Sequence, residues 1–396
     1  MNILHINDKV TISGGVEVYL EQLTALSPKY KINSYWLGLN KEAKGYRFEE
    51  YNDYRNKYDS LSFKQLLAYL KHFIEKHRVD IIHIHSISDS KIINACFQLA
   101  PVVRSMHEPR MICPGQGKFW RKSDMICTQK FGLHCLYHAY SQGCCNRNPQ
   151  RLFPALFNSY YEVYSAGKKY SAIIAMSDFM KAEAIKAGIC ASQIVVNPLF
   201  TEKVSLSNSQ NESKTKRILF IGRLSRTKGV HYLIKVAKHL LTKHDNLLFD
   251  IVGDGHDAGY FKSLVPDSLK EFIVFHGWQS RDQINEHLRN TYLMAFTSIY
   301  PEAFGISGIE ALMHGKPVVG FDVGGVSTWL KDGETGFLIP PKNTKVMSEK
   351  INELLLTGDL YNKISGKARE YAITNFTPDN HYNRLINIYK DVTASN

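Results

Sequence analysis

Short apolar runs recur along the chain, and most are followed by a stretch whose apolar residues return at helical spacing. The first run, Asn2-Ile3-Leu4-His5-Ile6-Asn7, predicts a strand, and Val16, Leu20 and Leu23 then share one side of an amphipathic helix. Further strands are predicted at Ile32 to Leu39, Val79 to His85, Val102 to Met106, Ala172 to Met176 and Ile194 to Val196. Helices fall between them at Phe63 to Lys76, Ile92 to Leu99, Pro154 to Lys168 and Ser177 to Ala187. The Tyr- and Asn-rich stretch up to Ser60 reads as a connection. After Lys216 the rhythm starts again, with strands opening at Arg217, Leu248, Phe272, Leu293, Val318 and Gly336. Helices are predicted at Val230 to Leu241, around Ile306, Ile309 and Met313, at Lys345 to Thr357, Tyr361 to Asn375 and His381 to Val392. Strand and helix in alternation imply an α/β protein with parallel, doubly wound sheets.

A chain of 396 residues is too long for one ordinary domain and fits two of near-equal size. Residues 203–216, KVSLSNSQNESKTK, are polar and without periodicity, and read as the linker. The expected organisation is an N-terminal domain over 1–202, a C-terminal domain over 217–377, and a last helix over 378–396 that returns to the first domain. With 44% hydrophobic and 22% charged residues the composition is that of a globular protein, which excludes disordered and collagen-like classes. No apolar run approaches the length of a membrane span. A soluble, cytoplasmic protein is expected, with peripheral contact to the inner face of a membrane left open.

The formal charge of +12 and pI near 9.1 favour an anionic partner. Nucleic acid is set aside because no zinc-finger, RNP or helix-turn-helix signature is present. Five of the seven cysteines lie between Cys113 and Cys145, in an insert over 108–151 that breaks the α/β rhythm. Thiolates of Cys113, Cys127, Cys135 and either Cys144 or Cys145 could close a tetrahedral structural zinc site, with His134 or His138 as a substitute ligand. Free thiols, or a disulfide in an oxidising compartment, are the competing readings. The insert also holds Lys118-Phe119-Trp120-Arg121-Lys122, basic residues around two aromatics. Such a patch suits an anionic membrane surface or a diphosphate-bearing lipid acceptor; a solvated loop around one buried tryptophan is the plain alternative.

Chemistry concentrates in Ser298 to Gly325, SIYPEAFGISGIEALMHGKPVVGFDVGG. Glu302 lies in a loop after an apolar strand, and Phe304-Gly305-Ile306 opens a helix that carries Glu310. Free amides at that helix start suit a phosphate or a developing anion. Upstream, Arg223 and Lys228 sit between a strand and a helix in the pattern Gly-Arg-x-x-x-x-Lys-Gly, where two cations can neutralise a diphosphate without metal. Gly14-Gly15 follows the first strand, and His107 and His85 each end a strand; His85 alone reads as structural.

The Glu302-x-Phe-Gly-x-x-x-x-Glu310 motif resembles the donor-site signature of retaining nucleotide-sugar glycosyltransferases of family 4. The resemblance extends over nearly the whole chain and implies the GT-B fold, two Rossmann-like domains facing across a deep cleft. It further implies that Arg223 and Lys228 hold the donor diphosphate, Glu302 a sugar hydroxyl and Glu310 the ribose. Gly14, Gly15, Phe304, Gly305 and Ile306 then meet the donor's phosphates, Trp278 meets the base through its backbone, and His107 faces the transferred sugar. The family's leaving phosphate takes the acceptor's proton, so no cofactor is required. The expected activity is hexosyl or N-acetylhexosaminyl transfer from a nucleoside diphosphate, such as UDP, to a sugar or lipid-linked acceptor in bacterial surface polysaccharide or glycolipid synthesis. The family often has a glutamate where this chain has Thr328, and a Pro-Asn-Gly turn where it has Asn197-Pro198-Leu199; no role follows for either. A sugar-nucleotide epimerase on the same scaffold, or a non-catalytic basic protein binding carbohydrate or membrane surfaces, are the rival readings.

Overall fold

The computed structural model describes residues 1–11, 14–42, 45–50, 53–204 and 215–394. It divides into two compact units: Met1–Ser123 with Cys127–Leu199 and His381–Asn396, and Asp124–Ile126 with Phe200–Asn380. Most of the expected linker, 205–214, lies outside the described residues.

The first unit is built on an eight-stranded sheet. Its strands are β1 (Asn2–Asn7), β2 (Asn33–Glu42), β3 (Gly45–Glu50), β4 (Asp53–Leu61), β5 (Ile81–Ile84) and β6 (Val102–Met106). Two short strands of the insert, β7 (Phe119–Trp120) and β8 (Met125–Ile126), stand apart, and β9 (Ala172–Ala175) and β10 (Ile194–Val196) complete the sheet. The order is β10-β9-β6-β5-β1-β2-β3-β4, parallel except for β3 and β4. These two strands replace the expected connection up to Ser60. They sit at the sheet's edge, where a strand needs no continuous apolar run, so periodicity gave no sign of them.

The helices of this unit are α1 (Gly15–Leu26), α2 (Phe63–His77), α3 (Ser90–Cys96), α4 (His134–Ser141), α5 (Pro149–Tyr164) and α6 (Asp178–Ala187). Helix α5 starts before the expected Pro154. Pro149 takes the first helical position, where its missing N–H costs nothing, and Asn148 accepts a hydrogen bond from the Gln150 amide. Pro154 is carried inside the helix.

The second unit holds six parallel strands: β11 (Lys216–Ile221), β12 (Leu247–Val252), β13 (Ile273–Gly277), β14 (Leu293–Phe296), β15 (Val318–Phe321) and β16 (Gly336–Ile339). Their order, β13-β12-β11-β14-β15-β16, reverses direction between β11 and β14. Helices α7 (Val230–Leu240), α8 (Ala258–Ser263), α9 (Arg281–Asn290), α10 (Ile306–Met313), α11 (Thr344–Leu356) and α12 (Gly358–Asn375) follow the strands in turn. The last helix, α13 (Pro378–Ala394), gives His381 onward to the first unit. There Tyr382 stacks on Tyr30 at 3.9 Å and its hydroxyl donates to the Leu23 carbonyl.

Trp329 fixes the start of α10. Its ring is fully buried and its Nε1–H donates to the Phe304 carbonyl at 2.7 Å. Gly308 lies directly against it: a Cβ there would come within 2.2 Å of the indole. Gly308→Ala is therefore expected to cost about 1–3 kcal/mol through overpacking, read as a lower denaturant midpoint. Gly15→Ala is the control, since a Cβ at that position meets nothing within 4 Å.

Candidate functional site

In an open α/β sheet, loops leaving the two strands that flank a reversal diverge and leave a crevice at the strands' carboxyl ends. In the second unit those loops follow β11 and β14, and they carry Lys228 and Glu302. The Lys228 ammonium meets Glu302 Oε1 at 2.5 Å. Ser298 Oγ donates to the same oxygen at 2.5 Å. Glu302 is only 8% exposed, so this pairing offsets the desolvation of its carboxylate. Backbone contacts lock the two loops together: the Ile299 amide donates to the Thr227 carbonyl at 2.9 Å, and Thr297 Oγ1 to the Lys228 carbonyl at 3.2 Å.

Gly324 shapes the floor beneath Glu302. Its φ of +57° is left-handed, and a Cβ would lie 2.3 Å from the Glu302 carbonyl. The Gly325 amide donates to that carbonyl at 2.6 Å. Gly305 caps α10 with φ +100°, its backbone too close to the Phe296 ring for a side chain to fit easily. The amides of Ile306 and Ser307 that follow have no carbonyl partner in the helix, and both residues are partly exposed. Phe304 itself is buried.

Glu310, buried on α10, is ion-paired with Arg281 at the start of α9. Arg281 was missed by sequence reasoning. The available signal was the Ser280-x-x-Gln283 capping box, which opens a helix directly after Trp278-Gln279. Arg223 is exposed, as is Arg226, which instead lies over the Tyr260 ring at 4.4 Å. Trp278 is 76% exposed after the left-handed Gly277, so it does not pack over the sheet edge.

The first unit gathers a second group of polar residues at the carboxyl ends of β1, β5 and β6. His5 Nδ1 and His85 Nε2 are 3.0 Å apart, and His85 Nδ1 and His107 Nε2 2.9 Å. A neutral imidazole has one N–H, so His85 donates on one side and accepts on the other, linking the tautomers of His5 and His107. His83 is held between Tyr389 Oη at 2.7 Å and Ser105 Oγ at 2.8 Å, and Tyr19 Oη meets His381 Nε2 at 3.0 Å. His85 is thus a connector and not an isolated core residue. Burial drives the basicity of these rings down, to a pKa of about 3 for His5 and His107 and about 4 for His381. Arg110, also missed in the sequence, pairs with Glu108 at 2.5 Å and Asp8 at 3.6 Å and donates to the Ser86 carbonyl. Gly14 caps α1, and Gly15 faces open space.

The cysteine-rich insert forms no disulfide. All seven cysteines are free. Cys144 and Cys145 sulfurs are 3.8 Å apart; their hydrogen bond lowers the pKa of Cys144 and raises that of Cys145. Among the described residues, two triads bring metal-ligand atoms within 4.8 Å of one another, His5/His83/His85 and Asp250/His276/His287, and neither contains a cysteine. Burial pushes the Cys135 thiol up to about 11, and Cys113, Cys127 and Cys144 lie near enough to add to that shift. Lys118, 3% exposed, is ion-paired with Glu183 at 2.5 Å, and Phe119 is buried. Of the expected basic-aromatic patch at 118–122, Trp120 is half-buried and only Arg121 and Lys122 are exposed.

Two Rossmann-like units, the second with a sheet reversal that carries the Lys228–Glu302 pair, have the architecture of the GT-B fold. Residues 203–371 match the family Glycosyl transferases group 1, and the chain carries a domain of that family. It is similar to an uncharacterized glycosyltransferase of Methanocaldococcus jannaschii, at 28% identity over 53% of this chain and 54% of that one. It is also similar to the poly(ribitol-phosphate) alpha-N-acetylglucosaminyltransferase of Staphylococcus aureus, at 25% identity over 74% of this chain and 57% of that one. The chain thus spans little more than half the length of either relative. The crystal structure of Anabaena HepE in complex with UDP superposes with a TM-score of 0.66 at 19% identity, covering 98% of this chain and 99% of that one. Among the described residues, no helix is long and apolar enough to cross a membrane.

The buried histidines set a direction for pH dependence. His5 and His381 stay neutral in the folded chain down to pH values near 3 and 4, while the unfolded chain protonates them below 6.5. The unfolded state then binds more protons, so stability is lost as pH falls through 6.5 toward 4, at a slope on the order of 1 kcal/mol per pH unit for each ring. Melting temperatures across this range should drop steeply for the wild type and less steeply for His381→Gln.

Proposed function

We propose that this protein transfers a sugar, a hexose or N-acetylhexosamine, from a nucleoside diphosphate to an acceptor hydroxyl with retention at the anomeric carbon. The observation that carries the reading is the Lys228–Glu302 pair at the sheet reversal, beside the start of α10. In the reaction the bond from the anomeric carbon to the phosphate oxygen breaks, the bond to the acceptor oxygen forms, and the acceptor's proton passes to the leaving phosphate. Negative charge grows on the diphosphate. Arg223, Lys228 and the amides of Gly305, Ile306 and Ser307 are the groups that would stabilise it, fixed before reaction begins.

Glu302 has a dual part in this reading. Its Oε1 holds Lys228 in place, and Oε2, which makes no hydrogen bond among the described residues, is left for a sugar hydroxyl. Glu310 is arranged similarly, with Oε1 on Arg281 and Oε2 left for the ribose. Trp278 would meet the base through its backbone and Gly14 and Gly15 the phosphates, while His107, with its tautomer set through His85, would face the sugar. The donor is a UDP-sugar by analogy with HepE, whose structure contains UDP. A surface glycopolymer or its lipid-linked precursor is the acceptor class by analogy with the staphylococcal relative, which acts on poly(ribitol phosphate). Such an acceptor agrees with a basic protein of +12 charge working beside a membrane.

UDP is expected to raise the melting temperature by mass action. Arg223→Ala should lose turnover by about 10²–10³-fold with the ligand-free melting temperature unchanged. Lys228→Ala should lose turnover to a similar degree and also melt lower, because it leaves a buried Glu302 carboxylate without its cation. Adding Glu302→Gln should restore the melting temperature but not the activity. Unaltered turnover in Arg223→Ala, or consumption of the UDP-sugar that needs no acceptor, would overturn the transfer reading.

A further inference from the structure

Helices α4 and α5 pack against each other through Ala139, Leu152 and Cys145, and each turns a second apolar stripe outward. On α4 the stripe is Leu133, Leu136, Tyr137 and Tyr140, with Leu133 97% and Tyr137 70% exposed. On α5 it is Phe153, Phe157, Tyr160 and Tyr164, the first three each between 57% and 58% exposed. Both runs follow the helical repeat that normally marks a face turned to a core. Here the buried face of α5 is already supplied by Leu152, Ser159, Glu162 and Val163. The outward stripes are therefore additional, and they exceed the scattered exposed apolar residues of an ordinary surface.

We infer that this paired-helix face docks on the headgroup region of an anionic lipid bilayer. Its composition, six tyrosines and phenylalanines with two leucines, is of the kind that settles at a membrane–water interface, rings inward and hydroxyls toward water. Its charge is complementary to such a surface. Between Met125 and Tyr161 the chain contains Lys130, Arg147 and Arg151 and no aspartate or glutamate. All three cations are exposed. Exposed Lys122 joins them, its ammonium donating to the Tyr140 carbonyl at 2.9 Å. Each cation near an anionic membrane adds to the attraction, and the aromatic rings add the apolar part. The stripes stand where the sequence gave only Lys118 to Lys122 as a membrane patch, and they do not depend on the transfer reaction.

The test is co-sedimentation of the full chain with vesicles of phosphatidylcholine alone or mixed with an equal part of phosphatidylglycerol. The mixed vesicles should carry the protein down, the neutral ones should not, and salt at about 0.5 M should release it. Phe153→Ser/Phe157→Ser/Tyr160→Ser should reduce binding at least about tenfold with an unchanged melting temperature. Arg147→Glu/Arg151→Glu, which leaves the rings in place, should do so independently. Failure of the wild type to bind mixed vesicles, or full binding by both variants, overturns the inference. A wild-type dimer by light scattering that the aromatic variant turns into a monomer, without lipid binding, assigns the face to a second copy and overturns it too. Transfer to a water-soluble acceptor should survive in both variants, so a failed lipid result leaves the proposed reaction standing.

Discussion

Glu302 is a carboxylate that has been taken almost entirely out of water, and the second unit is arranged around keeping it charged there. An unpaired carboxylate in that position would cost several kcal/mol. Lys228 arrives from the loop after β11 and Ser298 from the strand end that precedes Glu302 itself, so two otherwise separate loops become one polar junction. Gly324 and Gly325 close its floor because no side chain fits between their backbone and that of Glu302. Phe304 and Gly305 then carry the chain into α10 within three residues of the carboxylate, held by Trp329. The amides at the helix start and the ammonium of Lys228 thereby come from one rigid assembly, which is what preorganised binding of a dianion requires.

The first unit solves a different problem. Several imidazoles lie at or near the carboxyl ends of its central strands, where an isolated buried histidine would leave ring nitrogens unsatisfied. They satisfy one another instead, through His5, His85 and His107 in line and through His83 with Tyr389 and Ser105. The cost is that none can be protonated in place, which ties the stability of this unit to neutral pH. Its last partners, Tyr389 and His381, come from α13 at the far end of the chain. The histidine cluster and the docking of α13 are one construction.

The cysteine-rich insert shows a third economy. Its small core, centred on Ala139, Cys145 and Leu152, is enough to pair α4 with α5 but leaves both outer stripes uncovered. That exposure sets these stripes apart from the buried residues that hold the two helices together.

Much was legible in the chain. The strand and helix rhythm gave both parallel sheets because periodicity is local, and the Glu302 to Glu310 motif pointed to its own loop and helix because motif spacing is local too. The edge strands β3 and β4 were not legible, since strands without an apolar run leave no pattern in sequence. Neither were the partners of the site residues. Lys228 and Glu302 are 74 positions apart and Arg281 and Glu310 are 29, so only the sheet order could decide that they touch. The same holds for the insert. Cys113 to Cys145 carry the residue types of a zinc site and Lys118 to Lys122 those of a surface patch, but ligand spacing and exposure are properties of packing. Which side chains are present was written in the chain; which of them meet, and which face water, was decided by where the backbone brought them in three dimensions.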